Sequence, residues 1–200
     1  MTATARPPLI DDDALDDLER TFISRLRGRV LEIGAGEGEN FGAFHPDVEW
    51  TGLEPDDSRR SELATRARQW RHPAPPLGAV AERIPLPDDA VDAIVGTYVM
   101  CSVDDIDEAM AELRRVLVPG GRIVLIDHVA APPGSAHRVL QQLATPLSRR
   151  LCHGCRWNRE PDIALAAAGF TGHDVRRVRV RALPMPATPV LLFDGRAPGA

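Results

Sequence analysis

Val30-Leu31-Glu32-Ile33-Gly34-Ala35-Gly36-Glu37-Gly38 is the stretch that decides the fold. Val30 to Ile33 is a largely apolar run of strand length that leads straight into a glycine-rich turn. Glycine there permits positive φ and lets a ligand reach the backbone without meeting a side chain. A strand ending in such a turn and opening a helix is a place to hold a nucleotide-like ligand. The spacing selects among such ligands. A dinucleotide fingerprint needs Gly-x-Gly-x-x-Gly, and Glu39 stands where the third glycine would be. The pattern present is acid-x-Gly-x-Gly-x-Gly, with Glu32 closing the strand and Glu37 inside the loop. Two carboxylates repel a pyrophosphate and suit a cationic ligand.

Two hundred residues make one domain, 1–200, with enough chain to bury a proper core. A formal net charge of −5 argues against general nucleic-acid or anionic-membrane binding. All 24 basic residues are Arg, which excludes a Schiff-base lysine, a pyridoxal-phosphate anchor and a Walker-type phosphate loop. Three cysteines, at positions 101, 152 and 155, come without a signal-peptide pattern or a long apolar run. These features predict a reduced, cytoplasmic setting with no membrane insertion.

Residues 1–10 read as a loose tail, because Pro7-Pro8 forbids an early helix. Asp11, Asp12 and Asp13 favour a helix start, and Leu15, Leu18, Phe22 and Leu26 follow as one stripe that packs on the sheet. Beyond the glycine loop, Glu49 to Leu53 is a second strand, ending at Glu54 and Pro55. An acid there, twenty residues after Gly34, is placed to accept from both ribose hydroxyls of a nucleoside. Asp56 to Trp70 is a helix, and Leu77 to Val80 a short third strand leading to Ala81-Glu82. Asp88 to Val95 turns into a fourth strand that continues through Gly96-Thr97-Tyr98 towards Val103.

Asp104 and Asp105 cap a helix with Ile106, Met110, Leu113 and Leu117 inward, stopped by Pro119-Gly120-Gly121. Arg122 to Ile126 is a buried fifth strand that delivers Asp127 and His128 at its carboxyl end. The segment 132–160 is long for a connection and reads as a helical lid. It carries an apolar line, Val139, Leu143, Leu147 and Leu151, interrupted by Pro146, in one kinked or two short helices. Glu160-Pro161 opens a helix through Ala168, and Asp174 to Arg181 and Ala187 to Phe193 form a closing pair of strands. This alternation implies an α/β fold with a mostly parallel sheet and ligands at the carboxyl ends of its strands.

With these partners in place, Glu32-Ile33-Gly34-Ala35-Gly36-Glu37-Gly38 resembles the first motif of the class I S-adenosylmethionine-dependent methyltransferases. The resemblance implies a Rossmann-like sheet with a C-terminal antiparallel strand. It also implies S-adenosylmethionine as cofactor, the glycine loop wrapping its methionine part near the positive sulfonium. The implied cofactor-binding residues are Glu32, Gly34, Ala35, Gly36, Gly38, Asn40, Glu54, Pro55, Ala81, Glu82, Thr97 and Tyr98, with Ala81 and Glu82 near the adenine. Val99 to Val103, Arg115 to Gly121, Asp127 to Ala131, Gln141-Gln142-Leu143 and Gly154 to Glu160 recur in order. Together they resemble the small methyltransferase-like proteins of animals that methylate alkyl thiols, and their bacterial relatives, over residues 28–193. Two departures stand out: this sequence lacks the N-terminal membrane anchor of the animal proteins, and they do not share Cys152. The acceptor implied is a small-molecule thiol or dithiol, a reactive metabolite to be capped, contacted by Gln142, Cys155, Trp157 and Arg159. The enzyme is expected to be a monomer or weak homodimer.

A thiol attacks as its thiolate. His128 either accepts the thiol proton or is hydrogen-bonded to hold the lid, and Asp127 either serves as base or orients His128. Cys152-His153-Gly154-Cys155 supplies only two thiolate ligands and no second pair follows, so no metal is expected. Arg176, Arg177, Arg179 and Arg181 alternate with Val178 and Val180 as the polar face of an outer strand rather than a nucleic-acid strip. Two other functions fit the same first motifs. One is methylation of carbon, oxygen or nitrogen in a quinol, phenol or phospholipid headgroup. The other is a non-catalytic module that binds the cofactor.

Overall fold

The fold is built outward from β2 (Arg29–Ile33), whose Val30, Leu31 and Ile33 are wholly buried between neighbouring strands. The computed structural model describes residues 6–151, 154–181 and 187–199. Before β2 come β1 (Leu9–Ile10) and α1 (Asp12–Ile23); after it come β3 (Glu49–Leu53) and α2 (Asp57–Gln69). The chain continues through β4 (Val91–Thr97), α3 (Ile106–Val116), β5 (Leu117–His128), α4 (Ala136–Leu151), α5 (Pro161–Ala167), β6 (Thr171–Val180) and β7 (Thr188–Arg196). Among the described residues seven strands form one sheet, in the order β1-β6-β7-β5-β4-β2-β3. β3, β2, β4 and β5 run parallel, while β7 is antiparallel to both β5 and β6.

Strand alternation divides the core in two. Val30, Ala93, Val95, Val124 and Ile126 meet Phe22, Ile23 and Leu26 from the first helical segment on one face. Leu31, Ile33, Ile94, Ile123 and Leu125 meet Met110, Leu113 and Val116 of α3 on the other. Each of the Val, Leu, Ile, Phe and Met side chains among them contributes about 1.5–3 kcal/mol on burial. The helix starts are capped: Asp11 accepts from the Ala14 N–H, Asp56 from Ser58 and Arg59, and Asp105 from Asp107 and Glu108.

Several local expectations are corrected. Leu9 and Ile10 are not a tail; they pair with Arg179 and Val180, and the Arg179 and Arg181 N–H groups donate to the Pro8 and Ile10 carbonyls. β6 therefore lies between β1 and β7 instead of at the sheet's outer edge. Its arginines are engaged: Arg176 pairs with Asp174, Arg177 with Asp162, and Arg179 donates to the Pro7 carbonyl. No α-helix follows the glycine loop, only a 3-10 turn at Phe41–Ala43, because Gly38, Gly42 and Pro46 crowd the ten residues where one would grow. Leu77–Val80 is not a strand; Leu77 alone bridges to Leu53, preceded by two prolines that cannot donate.

β4 stops at Thr97, and Tyr98 at φ +60° turns the chain. α3 ends at Val116, before Pro119-Gly120-Gly121. Leu117 opens β5, and Pro119-Gly120-Gly121 takes up the register jump between the Val91–Leu117 and Ala93–Arg122 pairs. α4 is a single helix with Pro146 inside it. The apolar line on α4 faces outward: Val139, Leu143, Leu147 and Leu151 are each more than half exposed. The inward face carries Gln141 and Ser148 instead.

Candidate active site

The sheet order makes β2 and β4 neighbours, with β3 on the far side of β2 and the next crossover leaving in the opposite direction. A crevice opens at the carboxyl ends of strands where that reversal occurs. The glycine loop lies there. Gly34 has φ +57°, and a Cβ on it would stand 2.5 Å from Val99 Cγ2, so only glycine fits. The loop is held by the neighbouring strand: the Ala35 N–H donates to the Leu53 carbonyl at 3.0 Å. Glu54, 4% exposed, accepts from the Gly36 N–H at 2.9 Å and the Asp56 N–H at 2.9 Å. One carboxylate thus fixes both the loop and the entry to α2.

Glu32 stands behind the loop and lines neither cavity of the crevice. It is 1% exposed; Asn40 Nδ2 donates to its Oε1 at 2.7 Å and Trp50 Nε1 to its Oε2 at 2.7 Å. Burial pushes its carboxyl up to about 7 despite those two donors. Asn40 also donates to Thr97 Oγ1 at 3.0 Å, which ties the end of β2 to the end of β4.

Two cavities meet at Gly34, Arg59, Tyr98 and Ser102. The smaller, about 410 Å³, has Leu53, Ala79, Ala81, Val99 and Val103 as walls and Glu54, Pro55, Asp56 and Glu82 at its rim. The Glu82 carboxylate already accepts from the Asp104 and Asp105 N–H groups. The larger, about 750 Å³, begins at Gly34, Ala35, Gly36, Asn40 and Thr97 and ends at Cys101, His128, Cys155 and Trp157. Gly38 lines neither cavity; at φ +87° it packs on Phe41, where a Cβ would stand 2.2 Å from the ring.

The far end of the larger cavity is walled by two thiols, an imidazole and an indole, with Glu19 beside Tyr98. Cys155, 5% exposed, donates its S–H to Cys101 Sγ at 3.3 Å and lies 3.6 Å from His128 Nδ1. The hydrogen bond from Cys155 and burial push the Cys101 thiol well above the usual range. The His128 ring lies 4.8 Å from that of Tyr98, whose hydroxyl donates to Glu19. Burial raises both Tyr98 and Glu19. Asp127 is 1% exposed and accepts the Cys101 N–H at 3.2 Å through Oδ1; among the described residues Oδ2 has no partner. Burial lifts its carboxyl well above the ordinary value.

Two of the expected substrate residues lie away from both cavities. Gln142 is exposed on α4, and its neighbour Gln141 is the buried one, accepting the Ala131 N–H at 2.7 Å and donating to the Val129 carbonyl at 3.1 Å. Arg159 lines neither of these two cavities; it donates to the Met100 and Asp104 carbonyls and holds its segment to the turn after β4. Cys152 and His153 lie outside the described residues; Cys155 lies against Cys101. Sequence reasoning missed Glu19, Cys101, Ser102 and Arg59 as lining residues. Glu19 left a trace, an acid between Leu15 and Phe22 on the apolar side of α1.

These features fit S-adenosylmethionine. The glycine loop leaves open space where a Cβ would not, a buried acid, Glu54, stands at the end of β3, and Glu37 and Glu39 line the cavity beside the loop. The site is that of a nucleoside-binding α/β transferase. The profile of the methyltransferase domain family matches residues 31–125. Thiol S-methyltransferase TMT1B of Homo sapiens is 30% identical over 174 residues, covering 82% of this chain and 71% of that protein. The phosphatidylethanolamine N-methyltransferase of Cereibacter sphaeroides is 30% identical over 123 residues, 58% of this chain and 59% of that protein. The crystal structure of YcgJ from Bacillus subtilis superposes with a TM-score of 0.71 at 21% identity, covering 94% of this chain and 99% of that one. The chain belongs to the class I S-adenosylmethionine-dependent methyltransferases, and S-adenosylmethionine is its cofactor. Among the described residues no helix is long and apolar enough to cross a membrane.

Proposed function

We propose that the protein transfers the methyl group of S-adenosylmethionine to the sulfur of a small-molecule thiol. The observation that carries this reading is the far end of the larger cavity, where Cys101, Cys155, Trp157 and the His128 imidazole are the groups an acceptor meets. Such walls attract a polarisable sulfur, and Glu19, the carboxylate that also lines this cavity, is engaged by the Tyr98 hydroxyl. The name of the human relative points the same way.

In this reading Glu54 receives the ribose hydroxyls, Ala81 and Glu82 flank the adenine, and Gly34, Ala35, Gly36, Asn40 and Thr97 hold the methionine part. Glu32 and Gly38 act through the shape of the loop. The bound cofactor supplies an electrophilic methyl on a sulfonium. The chain aligns the acceptor sulfur behind that methyl, and such positioning supplies much of the rate of an in-line displacement. His128, the basic group facing the acceptor, takes the thiol proton, with Asp127 behind it. Residues 132–160 form a cover on the single domain, contributing Cys155 and Trp157 to the cavity.

The test is release of S-adenosylhomocysteine by the purified chain with alkyl thiols, dithiols, phenols, amines and quinols. Turnover with thiols, rising with pH as the acceptor ionises, supports the reading. Turnover confined to amines or quinols overturns the thiol and leaves the class standing.

A further inference from the structure

Three side chains from three separate segments converge at the acceptor end of the larger cavity: Cys101 after β4, His128 at the end of β5 and Cys155 after α4. Their ligand atoms all lie within 4.8 Å of one another. We propose that Cys101, His128 and Cys155 bind a zinc-type divalent cation, whose fourth position opens to the cavity and takes the sulfur of the acceptor thiol. The identity of that fourth ligand rests on the thiol reading above; the cation site does not.

Geometry supports the assignment. Zn–S bonds of about 2.3 Å and Zn–N bonds of about 2.0–2.1 Å in a tetrahedron separate sulfur from nitrogen by about 3.6 Å and two sulfurs by about 3.8 Å. Cys155 Sγ lies 3.6 Å from His128 Nδ1 and 3.3 Å from Cys101 Sγ. Small side-chain rotations therefore bring the three into place. Two thiolates and an imidazole select a borderline-soft cation over magnesium or calcium. Three protein ligands with one open position is the composition of a catalytic site, and all three residues line the cavity.

A second observation points to positive charge here. Asp127 is buried, lies against the Cys101 N–H, and has an oxygen with no partner among the described residues. A carboxyl isolated in the core is costly, and a dication one residue away gives it a counter-charge.

The cation changes the chemistry at one point. The acceptor S–H loses its proton to solvent as its sulfur takes the fourth position, so His128 serves as ligand and no longer as base. A dication with three thiolates and a neutral imidazole carries net charge −1, which favours a neighbouring sulfonium. The thiolate sulfur forms the new S–CH3 bond as the sulfonium S–CH3 bond breaks. A thioether and S-adenosylhomocysteine result, and the neutral thioether, a weaker ligand, leaves.

The experiment titrates the full reduced chain with Co²⁺ as a spectroscopic stand-in for Zn²⁺, with zinc content measured in parallel. One cobalt per chain is expected, with a thiolate-to-metal charge-transfer band that shifts when 2-mercaptoethanol is added. Cys101→Ser and Cys155→Ser should each weaken cobalt binding at least tenfold, while Cys152→Ser leaves the band unchanged. S-adenosylhomocysteine binding by calorimetry confirms that each variant is folded. No cobalt bound, or a band that survives both substitutions, overturns the site. A band indifferent to the thiol overturns the fourth-ligand assignment. Thiol turnover by a chain that binds no cation would sink this inference alone; a thiol-sensitive band with methyl transfer only to amines or quinols would sink the thiol reading alone.

Discussion

At the residue scale the glycine loop is the most legible part of the protein. Its acid-x-Gly-x-Gly-x-Gly spacing excluded a dinucleotide and anticipated a loop in which Gly34, Gly36 and Gly38 all adopt positive φ. Gly34→Ala combines an unfavourable φ with a methyl 2.5 Å from Val99. It is expected to weaken S-adenosylmethionine binding at least tenfold by calorimetry; wild-type affinity would remove the loop from the site. What the spacing did not reveal is the part Glu32 plays, because its partners Asn40 and Trp50 come from different segments. Its raised value makes a signed prediction. The unfolded chain ionises near its ordinary carboxylate value and the folded chain near 7, so between these the folded state binds more protons. Stability of the cofactor-free protein should therefore fall as pH rises from about 4.5 to 7. Glu32→Gln should flatten that fall in urea denaturation, and an unchanged slope would assign it to another group.

At the scale of elements, β2, β3, β4, β5 and the helices between them follow from periodicity and caps. Reading α4 required knowledge of what lay beneath it. Its apolar line suggested an inward face, yet the groups it covers are the unpaired Ala131 N–H and Val129 carbonyl, which Gln141 satisfies. A buried backbone pair needing partners outweighs an apolar stripe in orienting the helix. Gln141→Leu should therefore destabilise by roughly 1–3 kcal/mol, while Leu143→Ser stays within about 0.5 kcal/mol. Thermal denaturation giving the reverse order would place the apolar face inward.

At the scale of the whole molecule, the C-terminal half of the sheet is joined to the rest by charges that no local pattern announces. Asp194 on β7 accepts from Arg122 on β5 and pairs with Arg25 after α1, while Arg25 also reaches Asp174 on β6. The Asp194 side chain is 3% exposed, and its loss removes the carboxylate partner of Arg122, whose own side chain is 27% exposed. Asp194→Ala is expected to cost roughly 3 kcal/mol in denaturant unfolding, and a loss below about 0.5 kcal/mol would show that the network is decorative. The same long-range convergence makes the acceptor end: Cys101, His128 and Cys155 are far apart in sequence, and only the folded sheet brings them to one cavity.

The central claim concerns where the methyl group goes. The direct measurement incubates the purified chain with S-adenosylmethionine carrying a deuterated methyl and a small alkyl thiol, and follows the product by mass spectrometry. The account predicts a thioether bearing the intact labelled methyl on sulfur, formed in step with S-adenosylhomocysteine. Label found only on carbon, oxygen or nitrogen of other acceptors, with the thiol unmodified, would contradict it.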